Sequence, residues 1–245
     1  MYIIYDDNNY KNKKVYVTYI LIAINIIVYL GQIDDSNLME VLRNNFFKGY
    51  CMVPAEILSG KDVIIPGYFE ASPHPVYLTI ITSMFMHGGV WHLLGNMFFL
   101  FVFGDNLESV LGPIKFLLFY LLCGVLASSF DIMFTILFDL NLYTFNLGAS
   151  GAISGIIGGY MMRFPRNKIH LIFNIYVGFF ETPAFLWGLI WLSIQFIGIV
   201  ALLYDQASGV AYAAHIGGAI GGFFLVRLFP LRKIKNEIAT TTETV

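Results

Sequence analysis

Four side chains in this sequence have the types and the spacing for acyl-transfer chemistry. Ser150 stands in "NLGASGAISGIIGGY", Asn146 to Tyr160, at the head of an apolar, glycine-studded stretch. His92 and Asn96 lie four residues apart in "GGVWHLLGNMFF", and His215 lies in "VAYAAHIGGAIGG". A serine hydroxyl is a weak nucleophile until a base takes its proton. A neutral imidazole does this near physiological pH. The tetrahedral oxyanion then needs donors, and the Ser150 backbone N–H, the His92 ring N–H and the Asn96 amide are the candidates. The simplest arrangement is a Ser150–His215 dyad, a variant of the serine triad. The only acids near this level are Asp131 and Asp205, both at loop edges. Each residue alone has a blander reading. Serine is a favoured N-cap, a lone histidine suits a satisfied bundle core, and His92 with Asn96 suits hydrogen bonding between helices.

What must position these groups is a set of membrane helices. The 245 residues are 58% hydrophobic and 12% charged, with a mean hydropathy of +0.71. Soluble domains average about 45–50% apolar and about 25% charged. The chain therefore lacks the charge to cover a water-facing surface and reads as one multi-pass membrane domain. A net charge of −2 gives no footprint for nucleic acid. Cys51 and Cys123 sit in unlike surroundings, which argues against a disulfide, and no Cys/His cluster has zinc spacing.

A crossing helix needs ~20 mostly apolar residues. Six candidate spans follow: 15–31, 89–110, 113–131, 149–163, 183–204 and 210–227. The run Val15–Leu30 follows Lys11, Lys13 and Lys14, but "GQIDDS" after it offers no signal-peptidase site, so it reads as a retained span. Residues 32–88 form a long connection, within which "YLTIITSMFM" is too short to cross and is expected to dip into the surface. Residues 169–180 are apolar and fit the interface or an extension of a span. Eleven of the fourteen Lys and Arg residues fall on the side that holds both termini; Arg43, Lys48 and Lys61 are the exceptions. Basic bias marks the cytoplasmic side. The expected organisation is a cytoplasmic N-terminus (1–14), a six-helix membrane domain (15–229) and a cytoplasmic basic and polar tail (230–245) able to touch anionic lipid.

On that topology Ser150, His92, Asn96 and His215 share one depth. Each lies within roughly 2–10 Å of the outer end of its helix, at about 1.5 Å per residue. Glycines supply close approach. Gly151, Gly155 and Gly159 repeat every four residues in the fourth span, as do Gly217 with Gly221 and Gly218 with Gly222 in the sixth. Such small-residue faces let membrane helices pack tightly. His87 reads as a loop-packing residue beside the site, with a lesser chance of assisting the oxyanion. Gly104, Asp105 and Glu108 read as a helix stop with solvated acidic charges.

These segments together resemble the rhomboid intramembrane serine proteases. The resemblance rests on "HGGVWHLLGNMFFLFVFGDNLE", "GPIKFLLFYLLCG", "GASGAISG" and "AHIGGAIGG", in the family's order, across most of residues 50–226. "VPAEILSG" looks like prokaryotic members. The resemblance implies an all-α membrane protein, a compact six-transmembrane-helix bundle with a cavity opening outward. It implies that Ser150 is the nucleophile, His215 the general base, and His92 and Asn96 oxyanion donors. It also implies cleavage of transmembrane protein substrates near the outer surface, with no metal or cofactor. Where some members carry an aromatic one turn after the serine, this chain has Ser154. A Trp-Arg pair found in the first outer loop of some members is absent. The expected setting is a prokaryotic plasma membrane.

Two other function classes remain beside the protease. A non-proteolytic relative that binds membrane clients would usually lack the serine or the histidine, and both are present. A transporter would be expected to show internal repeats and interrupted helices in matching halves, and the sequence shows neither.

Overall fold

A computed structural model describes residues 2–6, 15–33, 45–66, 68–174, 178–205 and 210–231. Lys11, Lys13, Lys14, Arg43, Arg232, Lys233 and Lys235, which carried much of the orientation argument, lie outside the described residues.

Six longer helices form the bundle: α1 (Val17–Gln32), α2 (Val90–Leu111), α3 (Pro113–Leu137), α4 (Ser150–Arg163), α5 (Ala184–Asp205) and α6 (Tyr212–Leu225). Their bounds fall within a few residues of the expected spans, except that α3 runs on to Leu137, past the expected end at 131. Asp131 does not stop it, because its carboxylate is buried and accepts a hydrogen bond from Asn146 Nδ2 at 2.5 Å. Between α2 and α3 the chain turns at Gly112, with φ 80°, and Pro113 opens the next helix. Proline suits a first helical position, where its missing N–H is not needed.

Among the described residues, Pro113–Leu137 and Ala184–Tyr204 are each long and apolar enough to cross a bilayer alone. A third candidate is the pair Val76–Phe85 and Val90–Leu111, bent by 81°. The bend falls at "MHGG", so "YLTIITSMFM" folds into short helices that turn off α2 and do not extend it. Helix α4, at 14 residues, is short for a crossing helix and is not lipid-facing. Ala152 to Met161 is buried without a break, so this helix faces protein on every side and needs no lipid-facing side chains. The periphery carries the apolar surface. Ile27 on α1, Leu118 and Leu122 on α3, Ile197 on α5 and Phe224 on α6 are all exposed. The interior holds polar groups in return, among them Asn25, Asn96, Glu108, Asp131 and Gln195. Apolar outside with polar groups inside is the pattern of a bundle solvated by lipid.

Close backbone packing centres on α4 and α6. A Cβ on Gly222 would strike the Gly155 backbone, and one on Gly218 would strike the Gly151 carbonyl. Gly155 also faces Cys123 of α3. The other glycines turn elsewhere: Gly151 meets Ala127, Gly217 meets Phe130 and Gly221 meets Leu126, all on α3. The glycine face therefore divides, with Gly218 and Gly222 toward α4 and Gly217 and Gly221 toward α3.

Two sequence expectations are corrected. First, the bundle is helical, but a three-stranded antiparallel sheet accompanies it, β1 (Tyr2–Asp6), β2 (Lys168–Asn174) and β3 (Gly178–Pro183), in the order β1-β2-β3. The pairing sets Ile3 opposite Leu171 and His170 opposite Glu181. "IHLIFN" and "GFFETP" are rich in β-branched and aromatic residues, which favour strands. The segment read as interfacial is therefore mostly a hairpin. Second, Glu108 is not solvated. It is fully buried, and α2 continues past it to Leu111. Its carboxylate accepts from the backbone N–H groups of Tyr16 (2.9 Å), Val17 (2.8 Å) and Thr18 (2.8 Å), and from the Thr18 hydroxyl (2.8 Å). These are donors at the start of α1 that have no partner within their own helix. Glu108 thus caps α1 from α2.

Candidate active site

Helix α4 begins at Ser150, directly after the loop "NLGA". That loop is held on three sides. Asn146 exchanges backbone hydrogen bonds with Met52, at 3.0 and 2.8 Å, and its side chain donates to Asp131. The Gly148 N–H donates to the Ser83 carbonyl at 2.8 Å. Gly148 has φ 111°, a conformation that favours glycine. A Cβ there would also lie 2.8 Å from His92 Nε2 and 3.7 Å from Asn96 Nδ2. The His92 ring and the Asn96 amide are thus packed against the backbone two residues before Ser150.

The polar balance at this point is incomplete. Asn96 is buried, and its Nδ2 donates to no acceptor among the described residues. An unsatisfied buried donor costs free energy, so a native one calls for an explanation. His92 packs edge-on to His87, with ring centroids 5.2 Å apart. His87 is fully buried, and its backbone N–H and carbonyl are both bonded by the Gln32 amide, at 3.1 and 3.3 Å. Gln32 was not singled out in the sequence. It ties the bend before α2 to the end of α1.

A cleft of about 390 Å³, counted out to its mouth, opens beside Ser150. Ala127, Ser128 and Asp131 of α3 line it, with Asn146, Gly151 and Ala214. Ala214 immediately precedes His215 and lines the cleft together with Asp131. Asp131 links α3 to the loop before Ser150.

His215 is partly buried on α6. Its Nδ1 is 2.8 Å from Gln195 Oε1, and its ring lies 6.0 Å from that of Trp191, both on α5. This is the hydrogen bond that the described residues give the His215 ring, and it involves a residue that sequence reasoning missed. Gln195 follows the buried stripe of α5, which runs through Ala184, Trp187, Gly188, Gly198 and Ile199. A glutamine on such a stripe was the available signal. Ser154, one turn after Ser150, donates back to the Ser150 carbonyl at 2.6 Å. The helices that carry Ser150 and His215 meet at Gly151 and Gly218, which sets the two residues on neighbouring helix starts.

A thiol nucleophile is disfavoured near this loop. Burial pushes the Cys51 thiol up to about 12, with Lys48 only partly offsetting it. It stays protonated at neutral pH, and the thiol form is the inert one.

Comparison with known proteins agrees with this architecture. The chain resembles "Rhomboid protein 1, mitochondrial" of Saccharomyces cerevisiae, 34% identical over 152 residues, which is 59% of this chain and 40% of the relative. It is 29% identical over 193 residues to "RHOMBOID-like protein 1" of Arabidopsis thaliana, covering 79% of this chain and 43% of the relative. It is 27% identical over 191 residues to the human "Presenilin-associated rhomboid-like protein, mitochondrial", covering 71% and 46%. The chain thus spans less than half the length of each of these curated relatives. Residues 74–232 fit the family model described as the Rhomboid domain, a range that holds the bend before α2, α2 to α6 and all four polar residues of the site. On that match the chain belongs to the rhomboid family.

Proposed function

We propose that this protein is an intramembrane serine endopeptidase that cleaves transmembrane segments of other membrane proteins. Family membership supports a protease-like role at this coarse level. The observation that carries the finer reading is the orphaned Asn96 amide, packed with His92 against the backbone that leads into Ser150. A buried donor without an acceptor among the described residues suits an acceptor that arrives during reaction. That is the logic of an oxyanion site.

In this reading Ser150 Oγ attacks the scissile carbonyl and His215 Nε2 takes its proton. The negative charge that forms on the carbonyl oxygen is held by the Ser150 N–H, His92 and Asn96. His215 returns the proton to the leaving amine, and an acyl-enzyme remains on Ser150. Water, activated by His215, hydrolyses it. The cleft lined by Ser128, Asp131 and Ala214 would receive a small side chain next to the cut. The chain crosses the membrane six times with both termini cytoplasmic, as its basic residues favour. "VPAEILSG" supports a prokaryotic-type member in a plasma membrane. The bundle contacts lipid through its apolar periphery, and transmembrane proteins are its substrates.

Fluorophosphonate labelling of purified protein in mild detergent tests the assignment. Wild type is expected to react, and Ser150→Ala and His215→Ala are expected to lose the label. Reaction of folded Ser150→Ala at the wild-type rate would refute it. A folded wild type that is inert in both detergent and bilayers would favour the client-binding alternative. Asn96→Ala provides a graded test. Loss of one oxyanion donor typically costs ~10²–10³ in rate. The variant is expected to lose that much turnover on a transmembrane peptide. It should also largely keep its thermal stability, since the amide nitrogen it removes has no hydrogen-bond partner among the described residues.

A further inference from the structure

We propose that Gln195 is a positioning residue that fixes the tautomer and the orientation of His215. The inference rests on the protease reading for its consequence, but on the geometry alone for the contact. Three observations carry it.

Gln195 is a buried polar side chain where an apolar one would be the default. It sits on the inward stripe of α5, between Trp191 and Ile199, and is 7% exposed. An amide buried in this way is costly unless it is hydrogen-bonded. Its short contact is the one to His215 Nδ1, at 2.8 Å.

The amide has a defined polarity. Its Nε2 donates to the Trp191 carbonyl one turn back, at 3.4 Å. A carbonyl only accepts, so the nitrogen belongs on that side and Oε1 faces the imidazole. An amide oxygen also only accepts. The histidine nitrogen 2.8 Å away must therefore carry the proton. In the neutral ring that leaves Nε2 with a free lone pair, the form a general base requires.

The ring has little other support from α4. Ser154, one turn after Ser150, has no ring to offer and commits its hydroxyl to the Ser150 carbonyl. The wall beside His215 comes from Trp191, with its ring tilted by 34°. Both groups that locate the imidazole, Gln195 and Trp191, therefore belong to α5. A helix on the bundle's periphery thereby sets the state of the proposed base.

The experiment uses full-length protein in mild detergent with ring-¹⁵N histidine, wild type beside Gln195→Met and Gln195→Glu. Met keeps the volume and removes the acceptor, whereas Glu keeps an oxygen acceptor at the same place. The ¹⁵N spectrum of wild type, assigned with His215→Ala, is expected to show Nδ1 protonated and Nε2 bare. Gln195→Met is expected to lose that preference, and Gln195→Glu to keep Nδ1 protonated. In fluorophosphonate kinetics Gln195→Met should lower the maximal inactivation rate by about tenfold, the scale of one neutral hydrogen bond. The probe's half-saturation should stay unchanged, and Gln195→Glu should recover most of the rate.

A bare Nδ1 in wild type would overturn the proposal, and it needs no variant to fold. So would a Gln195→Met protein with wild-type tautomer and rate, or equal losses in Met and Glu at matched thermal stability. The two readings fail separately. If wild type shows the expected tautomer yet never reacts with the probe, the protease assignment falls and the positioning contact stands.

Discussion

Ser150→Ala and His215→Ala are each expected to lower cleavage of a fluorogenic transmembrane peptide in proteoliposomes by roughly 10⁴-fold or more. The double variant should be no worse than either single one. Residues that act as one nucleophile–base unit lose nearly everything with the first substitution, so their effects are far from additive. Two structural residues at separate places would instead add their costs. The distinction matters here because the helix starts that carry Ser150 and His215 are also packing sites, where Gly218 meets the Gly151 carbonyl. Thermal stability separates the two origins of lost activity. Ser150→Ala removes one hydroxyl from a partly buried position and should leave the melting temperature within a few degrees of wild type. Additive losses in the double variant, or cleavage by Ser150→Ala near the wild-type rate, would remove Ser150 and His215 from the chemistry.

The helices were legible in the sequence because lipid imposes a simple rule. A crossing segment must be apolar and uninterrupted for ~20 residues, and α5 follows it closely, at 184–205 against an expected 183–204. The rule loses force where a helix faces protein. Helix α4 is short and glycine-rich, with Ala152 to Met161 buried, and that glycine content blurs its ends in a reading of hydropathy. The ten-residue run "YLTIITSMFM" was legible as too short to cross, whereas the 81° bend at "MHGG" was not read from the sequence. Nor was the sheet. Residues 169–180 are apolar enough to suit an interface, and their partner β1 is more than 160 residues away in sequence. Pairing at that separation leaves no periodic trace in either segment.

The candidate site divides the same way. Ser150, His92, Asn96 and His215 stood out because polar groups inside apolar runs are costly and rare. The groups that hold them in place were harder to see. Gln32, Asp131 and Gln195 lie near span ends or on helices whose neighbours are unknown from sequence. Their partners are 55, 15 and 20 residues away. Asp131 was noticed as an acid at a loop edge, yet its link to Asn146 depends on how α3 and the loop before α4 assemble. A polar residue's chemistry can be read locally, whereas its partner is a property of the fold.

Glu108 is the sharpest case of that difference, and it carries the second large expected effect. Its neighbours Gly104 and Asp105 made it look like part of a solvated helix end. In the structure its two oxygens take four donors from the start of α1. Glu108→Ala would leave those donors buried without a partner. It would also remove a negative charge from a helix N-terminus, where charge of that sign is favourable. Breaking a buried, hydrogen-bonded carboxylate cluster costs about 3–5 kcal/mol. At roughly 2–4 °C per kcal/mol for a chain of this size, the melting temperature in mild detergent should fall by on the order of 10 °C. Glu108→Gln should fall less, since it keeps one acceptor oxygen but turns an NH₂ group toward N–H donors. Sixteen residues separate Glu108 from His92 along α2, about 24 Å at 1.5 Å per residue. Fluorophosphonate labelling at low temperature should therefore persist in Glu108→Ala while stability drops, the reverse of Ser150→Ala. An unchanged melting temperature would mean that α1 is held by apolar contacts such as Leu21 and Tyr29 alone. Loss of labelling at full stability would mean that the α1–α2 junction reaches the serine through a route other than folding.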